Sequence, residues 1–110
     1  MSGRLTTHVL DTAAGRPAAG IPIELARVDG DRREVLRVVT TNADGRTDEP
    51  LLVDKELAAA TYELVFDLGD HFGEGFLDRV PVRFTVADPD AHYHVPLLAS
   101  PWSYSTYRGS

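Results

Sequence analysis

The 110-residue chain contains no cysteine, which removes disulfides and thiolate metal sites and fits a reducing compartment. Lysine is nearly missing: Lys55 is the only one among 11 basic residues. With 17 Asp and Glu the formal net charge is -6, and so acidic a chain lacks the clustered cations with which nucleic-acid binders displace counterions. No apolar run approaches the ~20 residues of a membrane helix. The opening MSGRLTTHVLD has neither the apolar core nor the cleavage site of a signal peptide. The closing Arg108-Gly109-Ser110 is not the peroxisomal tripeptide. There is no G-x-S-x-G, P-loop or G-x-G-x-x-G, so nucleophile-elbow and nucleotide readings lack support. The expectation is a soluble cytoplasmic protein with neither nucleic-acid nor membrane partners.

Hydrophobic residues make up 43% of the chain and charged residues 25%, ordinary values for a globular protein. The length suits a single domain, 1–110, that buries roughly 65% of its unfolded surface. Residues 5–11 are β-branched and apolar and read as a strand. Thr6, His8 and Leu10 fall on one of its faces, Leu5, Thr7 and Val9 on the other. Two glycines and a proline make 11–20 a loop. A strand over 21–28, with Ile21, Ile23 and Leu25 inward, turns at Asp29-Gly30-Asp31 and returns over 34–41. These three strands suggest an antiparallel meander. Asn42-Ala43-Asp44-Gly45 is a further turn that delivers Arg46 directly after a glycine.

Residues 47–60 read as a loop with at most a short turn of helix in DKELAAA, since isolated helical turns are marginal in water. Tyr62, Leu64, Phe66 and Leu68 alternate with Glu63, Val65 and Asp67, a half-buried strand. A glycine-rich loop over 69–78, with a brief helix around 70–73, follows. Val80, Val82, Phe84 and Val86 mark another strand, and Pro81 sets its start at a sheet edge. Strands over 93–98 and 103–107 complete the chain. The spacing predicts an all-β fold, a two-sheet antiparallel β-sandwich of seven to eight strands with at most one short helix.

The candidate chemistry lies in the histidines His8, His71, His92 and His94. On a strand His92 and His94 share a face, about 6.6 Å apart along it. They read as polar surface side chains, as an HxH zinc site with His8 the third ligand, or as a metal-free acid–base pair, since neutral imidazole accepts a proton from water. Arg46 has the planar fork that binds a carboxylate or an enolate-like heterocycle. His71 reads as structural or exposed. Most chain ends are frayed and replaceable, whereas HYHVPLLASPWSYSTYRGS gathers tyrosines, an arginine and a serine behind a histidine pair, which points to a terminus seated in a site. Trp102 and Tyr104 read as packing residues.

Three segments together resemble the 5-hydroxyisourate hydrolase family, the transthyretin-like enzymes of urate breakdown. They are HVLDTAAGRPAAGIPIEL (8–25), TNADGRT (41–47) and HYHVPLLASPWSYSTYRGS (92–110). They stand in the family's order, and the resemblance covers nearly the whole chain. Tyr107-Arg108-Gly109-Ser110 is the ending that separates the hydrolases from the hormone carrier transthyretin. The resemblance implies an eight-stranded, two-sheet sandwich assembled as a homotetramer, a dimer of dimers, with sites in a channel between dimers. It implies a cyclic amide hydrolase that opens 5-hydroxyisourate to a ureidoimidazoline, with neither metal nor organic cofactor. His8 matches the family's N-terminal active-site histidine, Arg46 its substrate-binding arginine and His94 its catalytic histidine, with His92 a neighbour. Tyr107 matches a substrate-contacting tyrosine and Ser110 the terminal serine of the site. The implied catalytic set is therefore His8, Arg46, His94 and Ser110, with His8, Arg46 and Tyr107 contacting substrate. Two scaffold positions depart from the pattern: the 76–80 segment lacks a proline, which comes only at Pro81, and Ala60 stands where glycine is common. Two rivals share these residues: a carrier of a small planar ligand, and a zinc hydrolase using His8, His92 and His94.

Overall fold

A computed structural model describes residues 3–109. The strands are β1 (Arg4–Asp11), β2 (Arg16–Pro17), β3 (Pro22–Asp29), β4 (Arg32–Thr40), β5 (Leu52–Val53), β6 (Ala60–Asp67), β7 (Arg79–Val86), β8 (His92–Ala99) and β9 (Tyr104–Thr106). Among the described residues, helical structure is limited to a 3-10 turn, Asp54–Glu56, and a single turn of helix, α1 (Gly69–Phe72). No helix among the described residues is long and apolar enough to cross a membrane. The expected count of seven to eight strands is passed only because β2 and β5, of 2 residues each, pair with β1 inside segments expected to be loops.

The strands form two sheets, one in the order β2-β1-β8-β9 with β5 also on β1, the other β4-β3-β6-β7. Pairing is antiparallel throughout except between β1 and β8, which run parallel over the whole of β1. The expected meander of the first three strands therefore does not form. β3 and β4 make the hairpin, but β1 belongs to the other sheet. The segment between β1 and β3 crosses the end of the sandwich, burying Ala18 and Ile21 on the way. A short loop would have held β1 and β3 as neighbours; this one is long enough to change sheets.

One apolar cluster fills the space between the sheets. Leu5 and Val9 from β1, Ile23 and Leu25 from β3, Tyr62, Leu64 and Phe66 from β6, and Val95 and Leu97 from β8 are all buried in it. Each such side chain contributes roughly 1.5–3 kcal/mol by leaving water. Tyr62 keeps its hydroxyl satisfied on the Ala58 backbone, at 3.1 and 3.2 Å. Pro81 lies on β7, the edge of its sheet, where a residue without an N–H belongs. Trp102 and Tyr104 do not pack in the single chain: they are 69% and 43% exposed. Because Leu5, Thr7 and Val9 turn inward, Thr6 and His8 turn outward. On β8, Tyr93 and Val95 turn inward, which leaves His92 and His94 on the same outer surface.

Candidate active site

The parallel register of β1 and β8 sets Arg4 opposite His92, Thr6 opposite His94 and His8 opposite Pro96. Adjacent strands lie about 4.8 Å apart, so His8, Thr6, His94 and His92 make one patch on the outer face. The far edge of β1 is shared by three segments. β5 takes Arg4 and Leu5, β2 takes Leu10 and Asp11, and in the gap Arg46 forms an isolated bridge with His8.

The turn before Arg46 explains how it arrives there. Asn42 Oδ1 accepts the Asp44 and Arg46 N–H groups at 2.9 and 3.2 Å, an Asx-type turn. Gly45 has φ +73 and gives its carbonyl to the Val9 N–H at 2.8 Å. A Cβ at Gly45 would strike the Val9 carbonyl oxygen, so only glycine lets the turn lie this close to β1.

The chain end returns along the other side of β8. Gly109 bridges His94, and its N–H donates to the His94 carbonyl at 2.7 Å. A Cβ at Gly109 would come 2.7 Å from His94 Cδ2. The glycine thus lets the backbone lie against the imidazole ring. Arg108 sets its guanidinium 4.2 Å from the Tyr93 ring centroid, a cation–π contact on the side of the sheet away from the imidazoles.

The hydrogen bonds show which ring nitrogens are engaged. His8 Nε2 lies 2.9 Å from the Asp44 carbonyl. A carbonyl only accepts, so Nε2 carries the proton and the lone pair of the neutral ring is at Nδ1. His94 Nδ1 and His92 Nε2 each lie 2.8 Å from the Thr6 hydroxyl, with the two ring centroids 6.3 Å apart. Among the described residues, that leaves Nε2 as the His94 nitrogen with no hydrogen-bond partner. Burial, and then the charge of Arg46, hold the His8 imidazole below its ordinary value of 6.5. His94 is held below 6.5 by burial first, then by Arg46, His92 and His8. Both shifts favour the neutral imidazole, the form that can accept a proton. Arg46 is exposed and makes no ion pair with a described carboxylate. Beside it lies a depression of about 130 Å³ lined by Thr6, Thr7, Arg46 and Asp48 among others.

His8, Arg46, His94 and His92 are thus brought together. Tyr107 is not: it is 59% exposed and lines a separate cleft with Val82, Phe84, Tyr93 and Val95, between the β7 and β9 edges. Ser110 lies outside the described residues. No group of three metal-binding side chains converges among the described residues. His92 and His94 turn their nitrogens to one hydroxyl, and His8 turns Nε2 to a carbonyl. His71 is structural: its Nε2 bonds Asp11 Oδ2 at 2.7 Å and ties α1 to the end of β1. Thr6 is the site residue that the sequence did not reveal, because an ordinary threonine in a strand gives no signal until its cross-strand neighbour is known.

A two-sheet sandwich that gathers imidazoles and a guanidinium without a carboxylate partner among the described residues on one outer face is equipped for acid–base work on an electron-rich ligand. The family model described as HIUase/Transthyretin family matches residues 5–109, and the chain belongs to that family. It is 58% identical to 5-hydroxyisourate hydrolase 2 of Rhizobium meliloti, over 99% of this chain and 98% of that one. The structure of Klebsiella pneumoniae 5-hydroxyisourate hydrolase matches with a TM-score of 0.83 and 35% identity, covering 98% of this chain and 94% of that one. A crystal structure of (S)-allantoin synthase matches with a TM-score of 0.92 and 45% identity, over 99% of this chain but only 44% of that longer one.

Proposed function

We propose that this chain, acting as one domain over residues 1–110, hydrolyses 5-hydroxyisourate in urate degradation. The observation that carries the reading is the convergence of His8, Arg46 and His94, three residues far apart in the sequence, on one face. Family membership and the hydrolase relatives support the same substrate. The catalytic set is His8, Arg46, His94 and Ser110, with Tyr107 contacting the ring.

The chemistry is water addition to the amide carbonyl of the six-membered ring. The outward lone pairs, His8 Nδ1 and His94 Nε2, hold the water. One of them takes its proton as the oxygen bonds to carbon. The ring C–N bond then breaks, and that proton passes to the departing nitrogen. General-base help of this kind is worth about 10²–10⁴ in rate. Arg46 balances the negative charge that grows on the carbonyl oxygen. No step calls for a metal or an organic cofactor.

The assembly is read as a homotetramer, a dimer of dimers, in the cytoplasm. Its support is physical. β7 and β9 are unpaired sheet edges flanking one apolar cleft, and exposed edges of this kind seek partners. Trp102 and Tyr104 stand exposed nearby in sequence, and a symmetric interface is the usual way to cover such residues. Tyr107, remote from the imidazoles of its own chain, would then reach a site through assembly.

The test is the decay of freshly made 5-hydroxyisourate absorbance on adding protein, followed by the chirality of the product. Fast, enantioselective decay that survives a strong chelator supports the proposal. Saturable binding without decay would make the protein a carrier. Loss of activity with a stoichiometric metal would make it a zinc hydrolase.

A further inference from the structure

We propose that Thr6 is a positioning residue whose hydroxyl couples the tautomers of His92 and His94, so that His94 offers an unprotonated Nε2 and His92 takes part in the reaction. The inference rests on the hydrolase reading of this face.

The geometry leaves little choice. Thr6 Oγ1 lies 2.8 Å from His92 Nε2 and 2.8 Å from His94 Nδ1. A hydroxyl has a single proton to donate. When both rings are neutral, Thr6 donates to one nitrogen and must accept an N–H from the other. The two tautomers are therefore locked in opposition. If His94 carries its proton on Nδ1, Thr6 donates to His92 Nε2 and the His94 lone pair is at Nε2, facing outward. If the hydroxyl turns round, His94 carries its proton on Nε2 and is a donor there. The first state is a base aimed at water; the second is an acid aimed at a leaving nitrogen. Amide hydrolysis calls for the two in succession.

The ring is fixed as well as polarised. Thr6 holds one edge of the His94 ring, and Gly109 lies so close to the other side that a Cβ on it would come within 3.2 Å of His94 Cβ, Cγ and Cδ2. Rotation of the imidazole would break the Thr6 bond or push the chain end away. Thr6 is itself well anchored, since β1 and β8 stay in register along the full length of β1.

The coupled state also provides a route for the proton. When His94 Nε2 takes the proton of water, His94 Nδ1 can pass its own to the Thr6 oxygen while Thr6 passes its hydroxyl proton to His92 Nε2. Two protons move, none is gained, and the positive charge shifts onto the exposed ring of His92. Reversal returns a proton to His94 Nδ1 through Thr6, and His94 Nε2 then gives its proton to the departing nitrogen.

Two variants and one spectroscopic measurement test this. Thr6→Val keeps the β-branched shape, which suits a strand, and removes the hydroxyl; Thr6→Ser keeps the hydroxyl. With 5-hydroxyisourate, Thr6→Val is expected to lower kcat roughly 10- to 100-fold, with KM nearly unchanged, and Thr6→Ser to recover most of the loss. In the substrate-free protein, nitrogen-15 NMR at neutral pH is expected to find His94 protonated at Nδ1, with this preference lost in Thr6→Val. Wild-type kcat in Thr6→Val, a Thr6→Ser variant as slow as Thr6→Val, or a change in KM alone would overturn the proposal. So would His94 protonated at Nε2 in the wild-type protein. If the wild-type protein fails to turn over 5-hydroxyisourate, the hydrolase reading falls, and the NMR result alone still decides whether the two rings are coupled.

Discussion

Both outer faces of the sandwich carry ionisable side chains, and they dispose them in opposite ways. On the sheet β4-β3-β6-β7, Arg33 lies 2.7 Å from Glu24 and 2.9 Å from Glu63, and Arg83 lies 3.2 Å from Glu63. Burial alone would raise the Glu63 carboxyl, but hydrogen bonds from Arg33 and Arg83 bring it below its ordinary value. On the face formed by β1 and β8, burial and the Arg46 guanidinium act in the same direction, and both disfavour charge on His8 and His94. No described carboxylate answers Arg46. One face spends opposite charges on each other and gains a little stability. The other keeps like groups together at some cost to stability and gains proton acceptors near neutral pH. Ionisable groups arranged against their own charging mark a site rather than a scaffold.

The largest effect should come from cutting the second face. His94→Ala and Arg46→Ala are each expected to lower kcat/KM by about 10²–10⁴, with the unfolding transition hardly moved, as steady-state kinetics and thermal melts will measure. Next is Gly109→Ala, whose Cβ would press on the His94 ring. Displacement of a catalytic ring by about 1 Å can cost roughly 10²-fold, so a loss of activity exceeding any loss of stability is expected in the same two assays. The first face should answer differently. Glu63→Gln is expected to lower stability by about 1 kcal/mol in a urea titration and to leave turnover unchanged.

The smallest effect sharpens the electrostatic side of the comparison. Proton NMR titration should find the His8 and His94 midpoints below 6.5. Arg46→Met removes a positive neighbour and should move both upward. Because the folded rings bind protons less readily than the unfolded chain, their contribution to stability is present above 6.5 and is lost as pH falls from there through the folded midpoints. The acid limb of activity should fall in the same region.

Much of this was legible in the residues. The alternation of Tyr62, Leu64 and Phe66 predicts the buried face of β6, and the two-residue spacing of His92 and His94 puts both on one surface. The Asp-Gly before Arg46 signals the turn that presents it. Pairing between distant strands was not legible. Nothing near Thr6 announces that β8 lies beside it in parallel, 88 positions away, and parallel pairs have no turn to betray them. The same blindness hid the change of sheet after β1 and the Asp11 partner of His71. Trp102 and Tyr104 carried a real apolar signal, but it points outward from the single chain rather than into its core.

Whether the outer face of β1 and β8 works as one unit is tested most directly by a double-mutant cycle on 5-hydroxyisourate decay with His8→Ala, His94→Ala and the pair. Residues that serve the same water lose most of the rate with the first substitution, so the double variant should be little slower than the slower single one. Losses that multiply in full, or singles that decay substrate like the wild-type protein, would mean that the two imidazoles do not share a reaction.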